Sequence, residues 1–336
     1  MEAIKVKKQD AEKARKFLMK ENYINNRYKI KKSGSHILFP IKKITKKIKA
    51  KFKIVEKELE EINKKEKNLI DILYGKLSKE FLDNLPKSMD IIGDIAIVEI
   101  PDNLKGKEAI IGNAILKLHK NLKVVAKKAG LYSGEFRVRK LKIIAGENRK
   151  ETLHKENYIK LKVNPETCYF SPRLATERHR IFNQVKPKEN ILVMFSGVGP
   201  YPISIAKNSN AKNIIGIEIN PKAHKYAEQN IELNKIKNVK VYLGDVKDIV
   251  PKLKEKFDRI IMPLPKTADT FLAAALAVAK KGTIIHLYDF LHETEIPDKA
   301  IKKIKRYVKK FKILEVVKCG QYSPGKYRIC IDFKLS

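Results

Sequence analysis

Cysteine is nearly absent: Cys168, Cys319 and Cys330 are the whole supply in 336 residues, an odd and widely spaced set that argues against a disulfide framework or a zinc ribbon. A reducing cytoplasm is the natural setting, and no metal is expected. Long apolar runs are missing too. The best, Phe271 to Ala279, is about half of the roughly 20 residues a spanning helix needs. The amino terminus carries charge from Glu2 onward, without the apolar core of a signal peptide. No Gly-x-Gly-x-x-Gly and no Gly-Lys-Ser/Thr loop occurs, which disfavours nicotinamide dinucleotides and disfavours ATP further. Acid is scarce: 38 acidic side chains face 73 basic ones, a formal charge of +35. Such an excess predicts a polyanionic partner, nucleic acid above all, because each neutralised phosphate releases counterions. Lysine richness from AT-rich coding is the plainer source of the same charge.

What is present divides the chain. With 43% apolar residues it can bury a substantial core and supply two or three domains. Residues 1–55 are lysine-dense, with a helix over Ala11–Asn22 and short strands at Tyr28–Ile30, His36–Pro40 and Phe52–Val55, a small α+β module. It is either a nucleic-acid docking unit or a lysine-coated appendage. Residues 56–67 are charged and poor in apolar side chains, as an exposed helix or linker is. A second small domain is expected over 68–104, with a helix at Leu69–Leu85 and a hairpin pivoting on Gly93-Asp94. A helix capped at Pro101-Asp-Asn then runs to His119. The rest, 105–336, is expected to be one large domain.

From Ile191 the pattern is strand then helix. Strands at 191–195, 213–219, 239–243, 257–262 and 283–288 alternate with helices near 202–208, 221–233, 246–254 and 267–280. A helix near 298–310 and a closing pair of strands, at least one antiparallel, follow. This is an open, Rossmann-like α/β sheet, which binds its ligand at the carboxyl ends of its strands. Three signals fall on successive ends. Gly197 and Gly199 follow Phe195 where the first strand breaks into Ser-Gly-Val-Gly-Pro. Glu218 closes the second strand, about 20 residues on, where an acid accepts ribose hydroxyls. Asp245 follows the third and can take an adenine amino hydrogen bond or merely cap a helix. Pro200 and Pro202 remove donors that a pyrophosphate would use. Together these fit an adenosyl cofactor. The fourth strand runs into Pro263-Leu264-Pro265, either a strand stop or a wall for a flat substrate.

Two further segments carry candidates. Phe136-Arg-Val-Arg139 reads as a strand with Arg137 and Arg139 on one side, a solvated edge or an arginine aimed at a nucleobase carbonyl or phosphate. Tyr169-Phe-Ser-Pro-Arg-Leu174 leads into a helix bearing Glu177, Arg178 and Arg180. One carboxylate among arginines is either a structural ion pair or a base in a cleft.

Gly134-Glu-Phe-Arg-Val-Arg139, Ala145-Gly-Glu-Asn-Arg149, His154-Lys-Glu-Asn157, Tyr169-Phe-Ser-Pro-Arg-Leu174 with Glu177-Arg178, Phe195-Ser-Gly-Val-Gly-Pro200 and Glu218-Ile-Asn-Pro221 occur in this order. The set resembles the archaeal and eukaryotic tRNA (guanine-37-N1)-methyltransferase family, in motifs from about residue 124 onward and in layout before it. The resemblance implies a class I S-adenosylmethionine-dependent methyltransferase whose N-terminal domains grip tRNA, with the anticodon loop at the active site and the N-terminal module on the tRNA body. It implies a monomer with no obligate protein partner. By motif position it makes Glu177 the general base and gives Arg137 the guanine O6. Arg178, Phe195, Gly197, Gly199, Glu218, Ile219, Asp245 and Val246 become the cofactor-binding set. Tyr169, Arg173, Pro263, Leu264 and Pro265 become the substrate-binding set. The sequence departs from the family at Pro263, where guanine-methylating members usually carry Asn, and at Ala175-Thr176, where relatives often show Gly-Gly. The first departure resembles an archaeal isoform that methylates C7 of 4-demethylwyosine, also or instead. The expected activity is therefore methyl transfer at position 37, on guanosine N1, on 4-demethylwyosine C7, or on both. An aminocarboxypropyl transferase of wyosine synthesis and a non-catalytic tRNA-binding protein are the alternatives.

Overall fold

The computed structural model describes residues 1–61, 68–265 and 268–336. The chain divides into two compact units, Met1–Ile72 and Leu73–Ser336.

In the first unit, strands β1 (Glu2–Lys7), β2 (Lys31–Ser33), β3 (His36–Pro40) and β4 (Lys53–Glu56) form one sheet in the order β2-β3-β1-β4. Helix α1 (Ala11–Lys20) lays Ala11, Ala14 and Leu18 into a core with Ile4, Phe39 and Ile48. The short helix α2 (Lys46–Lys51) is capped by the Thr45 hydroxyl, which accepts from the Ile48 amide. The strand expected at 28–30 lies one turn later, at β2. Of the expected linker, residues 62–67 lie outside the described residues.

The helix expected over 69–85 is two short ones, α3 (Leu69–Leu73) and α4 (Lys79–Asp83). Gly75 breaks it, in a turn at φ +78° that only glycine adopts readily. The second unit then builds a small sheet of β5 (Met89–Ile92), β6 (Ile95–Val98), β7 (Val124–Lys128) and β8 (Leu141–Gly146), with helix α5 (Glu108–Leu118) crossing between β6 and the parallel β7. The boundary expected at 104 thus falls inside a single β-α-β crossover. Gly93-Asp94 forms the expected hairpin turn. Strands β9 (Thr152–Glu156) and β10 (Ile159–Val163) pair with each other, and Ile159, Leu161 and Val163 share a core with Ile95, Ile97 and Val124.

Helix α6 (Ala175–Asn183) precedes the main sheet. Its strands and helices follow in order: β11 (Asn190–Met194), α7 (Pro200–Asn208), β12 (Asn213–Glu218), α8 (Pro221–Leu233), β13 (Val239–Leu243), α9 (Val246–Ile249), β14 (Phe257–Met262), α10 (Leu272–Ala277), β15 (Ala279–His292), α11 (Asp298–Lys305), β16 (Phe311–Ser323) and β17 (Lys326–Leu335). The sheet order is β13-β12-β11-β14-β15-β17-β16. The first five strands are parallel, and the closing hairpin inserts β17 antiparallel between β15 and β16. This is the expected open, Rossmann-like sheet. Its central strands β11, β12 and β14 are largely apolar because both faces are covered. Successive residues alternate between two cores: Leu192 and Met194 pack with Ile260 and Leu287, whereas Ile191 and Val193 pack with Ile261 and Tyr288. Three expected helices are shorter than their patterns: that near 246–254 is α9, which stops at Ile249. In the 267–280 stretch the described helix ends at Ala277 and β15 begins at Ala279, and α11 stops at Lys305 rather than near 310. Among the described residues no helix is long and apolar enough to cross a membrane.

Candidate functional site

The chain reverses at the carboxyl end of β11 through three residues at positive φ: Phe195 (59°), Gly197 (59°) and Gly199 (88°). The two glycines differ. A Cβ on Gly199 would lie 2.8 Å from Ile203 Cδ1, whereas one on Gly197 would meet nothing closer than Tyr169 O at 3.9 Å. Gly199 therefore serves packing, and Gly197 leaves open space above the strand end. Glu218, at the end of β12, turns its carboxylate onto this loop. Its Oε2 accepts from the Gly197 amide (2.7 Å) and its Oε1 from the Asn220 amide (2.9 Å). Asn220 in turn caps α8 by accepting from the Lys222 amide, with Pro221 in the first turn. Burial pushes the Glu218 carboxyl up, against the pull of these amides. Asp245 caps α9, its Oδ1 accepting from Lys247 N–H at 2.8 Å. Phe195 stacks edge-on against Phe271, centroids 4.9 Å apart.

Most of these groups line a cavity of about 530 Å³. Gly197, Glu218, Ile219, Asp245, Val246 and Phe195 are there, and so are Arg137, Tyr169, Pro263, Leu264 and Pro265. Sequence-distant candidates from four strand ends and two loops thus meet around one space. The buried carboxylate beside an open glycine and a pair of rings suits a ribose and an adenine. The donor set fits an adenosyl cofactor.

Arg137 reaches the cavity by a route other than the expected strand. Gly134 to Arg137 form a turn closed by the Ser133–Val138 bridge, with Arg137 itself at φ +48°. The alternating pattern gives way because Gly134 (φ +69°) starts a reversal there. Burial, first, and the nearby Arg328 lower the Arg137 pKa, against the pull of Tyr169.

Four candidates lie off the cavity wall. Gly199 is behind the loop. Arg178, 2% exposed, is locked bidentately onto Glu156 and also donates to Ser171 O. A role at the cofactor's carboxylate does not fit that burial and pairing. Arg173 is largely exposed and pairs with Asp90 at 2.7 Å. Glu177, 4% exposed, sits behind Tyr288, whose hydroxyl donates to Glu177 Oε1 at 2.6 Å. Arg180 donates to both Glu177 oxygens at 2.8 Å. The Tyr288 hydroxyl also accepts from Tyr201 at 3.0 Å, and burial pushes the Tyr288 phenol well up.

Arg180 continues the array to Asp332, which bonds His286 Nδ1 at 2.6 Å. Arg259 meets His286 Nε2 at 2.7 Å and pairs with Glu189. Cys330 joins His286 and Asp332 within ligand spacing for a cation. Arg180 and Arg259 already hold the carboxylate and the imidazole, so the cluster is an ion-pair network.

Sequence reasoning missed Tyr132, Phe136, Phe271, Tyr288, Phe290, Tyr322 and Arg328 on the cavity wall. Exposed rings beside Gly134-Glu-Phe-Arg were a local signal for the first two. The last three have none, because they lie on β15, β16 and β17 and meet only through the order in which those strands close the sheet.

Comparison with known proteins gives three matches along the chain. The tRNA methyltransferase 5 N-terminal domain matches residues 3–49, the TYW2 N-terminal domain 69–149, and the TRM5/TYW2 methyltransferase domain 152–317. The chain is 42% identical over 338 residues to the tRNA (guanine(37)-N(1))-methyltransferase Trm5b of Pyrococcus abyssi, covering 99% of each. It is 36% identical to the tRNA (guanine(37)-N(1))/4-demethylwyosine(37)-methyltransferase Taw22 of Nanoarchaeum equitans, over 74% of this chain and 99% of that one. Among solved structures, the complex of aTrm5 with tRNALeu superposes with a TM-score of 0.78 at 35% identity, covering 99% of both chains.

Proposed function

The chain belongs to the TRM5/TYW2 methyltransferase family, and from that premise we propose that it transfers the methyl group of S-adenosylmethionine to N1 of guanosine 37 in tRNA. The observation that carries this reading is one shared cavity whose wall brings Glu218 and Asp245 together with Arg137, Tyr169 and Pro263–Pro265. Similarity to a guanine-N1 enzyme over 99% of the chain supports N1 as the acceptor atom. The tRNA complex of a relative supports tRNA as the partner. As a tRNA-modifying enzyme, the protein acts in the cytoplasm as a monomer.

When bound, the cofactor supplies an electrophilic methyl on a sulfonium. The chain's own residues do the rest. Glu218 and Asp245 hold the adenosine. Guanine N1 is a poor nucleophile until it loses its proton, so Arg137 at O6 stabilises the charge that develops. Glu177 takes the proton, and the Tyr288 hydroxyl on its Oε1 stands between it and the cavity. The base must leave its stack to enter, and Pro263-Leu264-Pro265 forms a donor-poor shelf for it. In-line transfer then depends mainly on alignment.

A second reading rests on Pro263. A proline on the acceptor wall offers no side-chain hydrogen bond to a guanine edge, which suits C7 of 4-demethylwyosine. Nucleoside mass analysis decides after reaction with tRNA carrying guanosine 37 or 4-demethylwyosine 37. We expect 1-methylguanosine from the first. A product from the second alone would move the assignment to C7, and released methylthioadenosine would make the enzyme an aminocarboxypropyl transferase.

A further inference from the structure

Arg328, half-buried, stands apart from three ion-paired arginines of this unit. Arg178, Arg180 and Arg259 each hold a carboxylate. Arg328 holds none among the described residues, and its Nε is buried without any hydrogen-bond partner. Among the described residues its one hydrogen bond is from Nη2 to Tyr169 Oη, at 3.0 Å. Its guanidinium lies 5.2 Å from the Phe290 ring, which packs against Tyr322 at 4.3 Å. All four residues line the same cavity as Arg137. Buried donors in native proteins are almost always paired, and a guanidinium fork is shaped for two oxygens of one anion. The unmet Nε, the missing carboxylate and the second cation nearby leave a place for an oxyanion.

Sheet order says which oxyanion. The cofactor-facing acids sit at the ends of β12 and β13, beyond β11. Arg328 is on β17, opposite Phe290 of β15. From β11 to β17 the order β11-β14-β15-β17 spans three strand spacings, roughly 14 Å. The Pro263–Pro265 wall after β14 lies between. Arg328 therefore belongs to the acceptor half, beside exposed aromatic rings of the kind on which nucleobases stack. We propose that Arg328 binds a phosphodiester of the tRNA next to the target nucleotide and so fixes the flipped nucleotide against Arg137. The inference rests on the reading above that a tRNA nucleotide enters this cavity.

The test uses the full chain and full-length tRNA with guanosine 37, in which each linkage flanking nucleotide 37 is replaced in turn by a neutral methylphosphonate. Binding is measured across a salt series. Arg328→Gln should weaken tRNA binding about tenfold and flatten the slope of log affinity against log salt by roughly 0.7 to 0.9, the share of one phosphate contact. Cofactor affinity should stay within about twofold, since no cofactor contact is lost. One methylphosphonate should cost the wild type about the same tenfold and cost the variant nothing. Unchanged tRNA affinity and slope would overturn the proposal. So would a loss confined to the cofactor, which would assign the anion to the cofactor's carboxylate. A loss that no methylphosphonate reproduces would make Arg328 a packing residue and overturn it equally. Should Arg328→Gln fail to fold, Arg328→Lys carries the same comparison: it keeps the charge but not the fork, and its deficit should shrink on the neutral linkage. The wild-type nucleoside product is read separately. A methyl group away from position 37 would sink the functional reading, while the salt and cofactor arms would still decide Arg328.

Discussion

Glu177 meets the cavity only through another side chain. Its Oε1 receives the Tyr288 hydroxyl and an Arg180 N–H, and its Oε2 a second Arg180 N–H. A carboxylate so held is well positioned, and the phenol is the group the acceptor can reach. Removing a general base typically costs about 10²- to 10⁴-fold in the proton-transfer step. Glu177→Gln and Arg137→Ala should each lose single-turnover rate on that order, with cofactor affinity near wild type. If Glu177 acts through Tyr288, Tyr288→Phe should be slow as well. The double variant Glu177→Gln/Tyr288→Phe should then be little slower than Glu177→Gln alone, because groups acting as one unit are not additive. Rapid-quench kinetics with labelled cofactor reads this. Multiplicative losses would separate the two residues, and a full rate in Glu177→Gln would remove the base assignment.

The elements around the cavity differ in how far a short stretch of sequence encodes them. The β11 loop, Glu218 and Asp245 were legible, because an apolar strand followed by Gly, Glu or Asp at its carboxyl end is a pattern of ten or so residues. The Arg178–Glu156 pair was not, since it joins α6 to β9 across a tertiary contact. Arg328 was invisible for the same reason, and alternation around Arg137 lost to the turn at Gly134. Within the β11 loop the two glycines make separable predictions. Gly199→Ala adds a Cβ 2.8 Å from Ile203 at φ +88° and should cost about 1–3 kcal/mol of stability, seen as a lower denaturant midpoint. Gly197→Ala faces open space, so beyond the backbone strain it should chiefly weaken cofactor binding by calorimetry. Equal effects in both assays for both variants would refute the division. The network beneath the sheet links α6, β14, β15 and β17, and carries a pH signature. Burial, against the pull of Asp332, lowers the His286 pKa below its ordinary 6.5. The unfolded chain then binds more protons as pH falls below about 6.5, so stability should drop with pH there, by up to about 1.4 kcal/mol per unit. Denaturant unfolding at pH 7.5, 6.5 and 5.5 should show a shallower dependence in His286→Gln than in the wild type. Parallel curves would show that His286 does not titrate differently on folding.

At the scale of the whole molecule, charge and architecture divide the work. The second unit contains every residue of the cavity, so that site is built on one unit's core. The first unit has a separate apolar core around Ile4, Leu18 and Phe39 beneath a lysine-dense surface. A formal charge of +35 is far more than one anticodon nucleotide requires, and a lysine-coated unit without cavity residues is suited to grip the tRNA body through its phosphates. Removing residues 1–61, which leaves α3 whole, should therefore weaken tRNA binding by about tenfold or more at 0.1 M salt and reduce the salt slope by several phosphate contacts. Cofactor affinity should remain within about twofold and the melting transition of the remaining unit should persist, because its core is untouched. Single turnover at saturating tRNA should also be largely retained, since the groups that align the acceptor are still present. Loss of cofactor and tRNA affinity together would mean that the first unit supports the second structurally. An unchanged salt slope would mean that its lysines touch no phosphate.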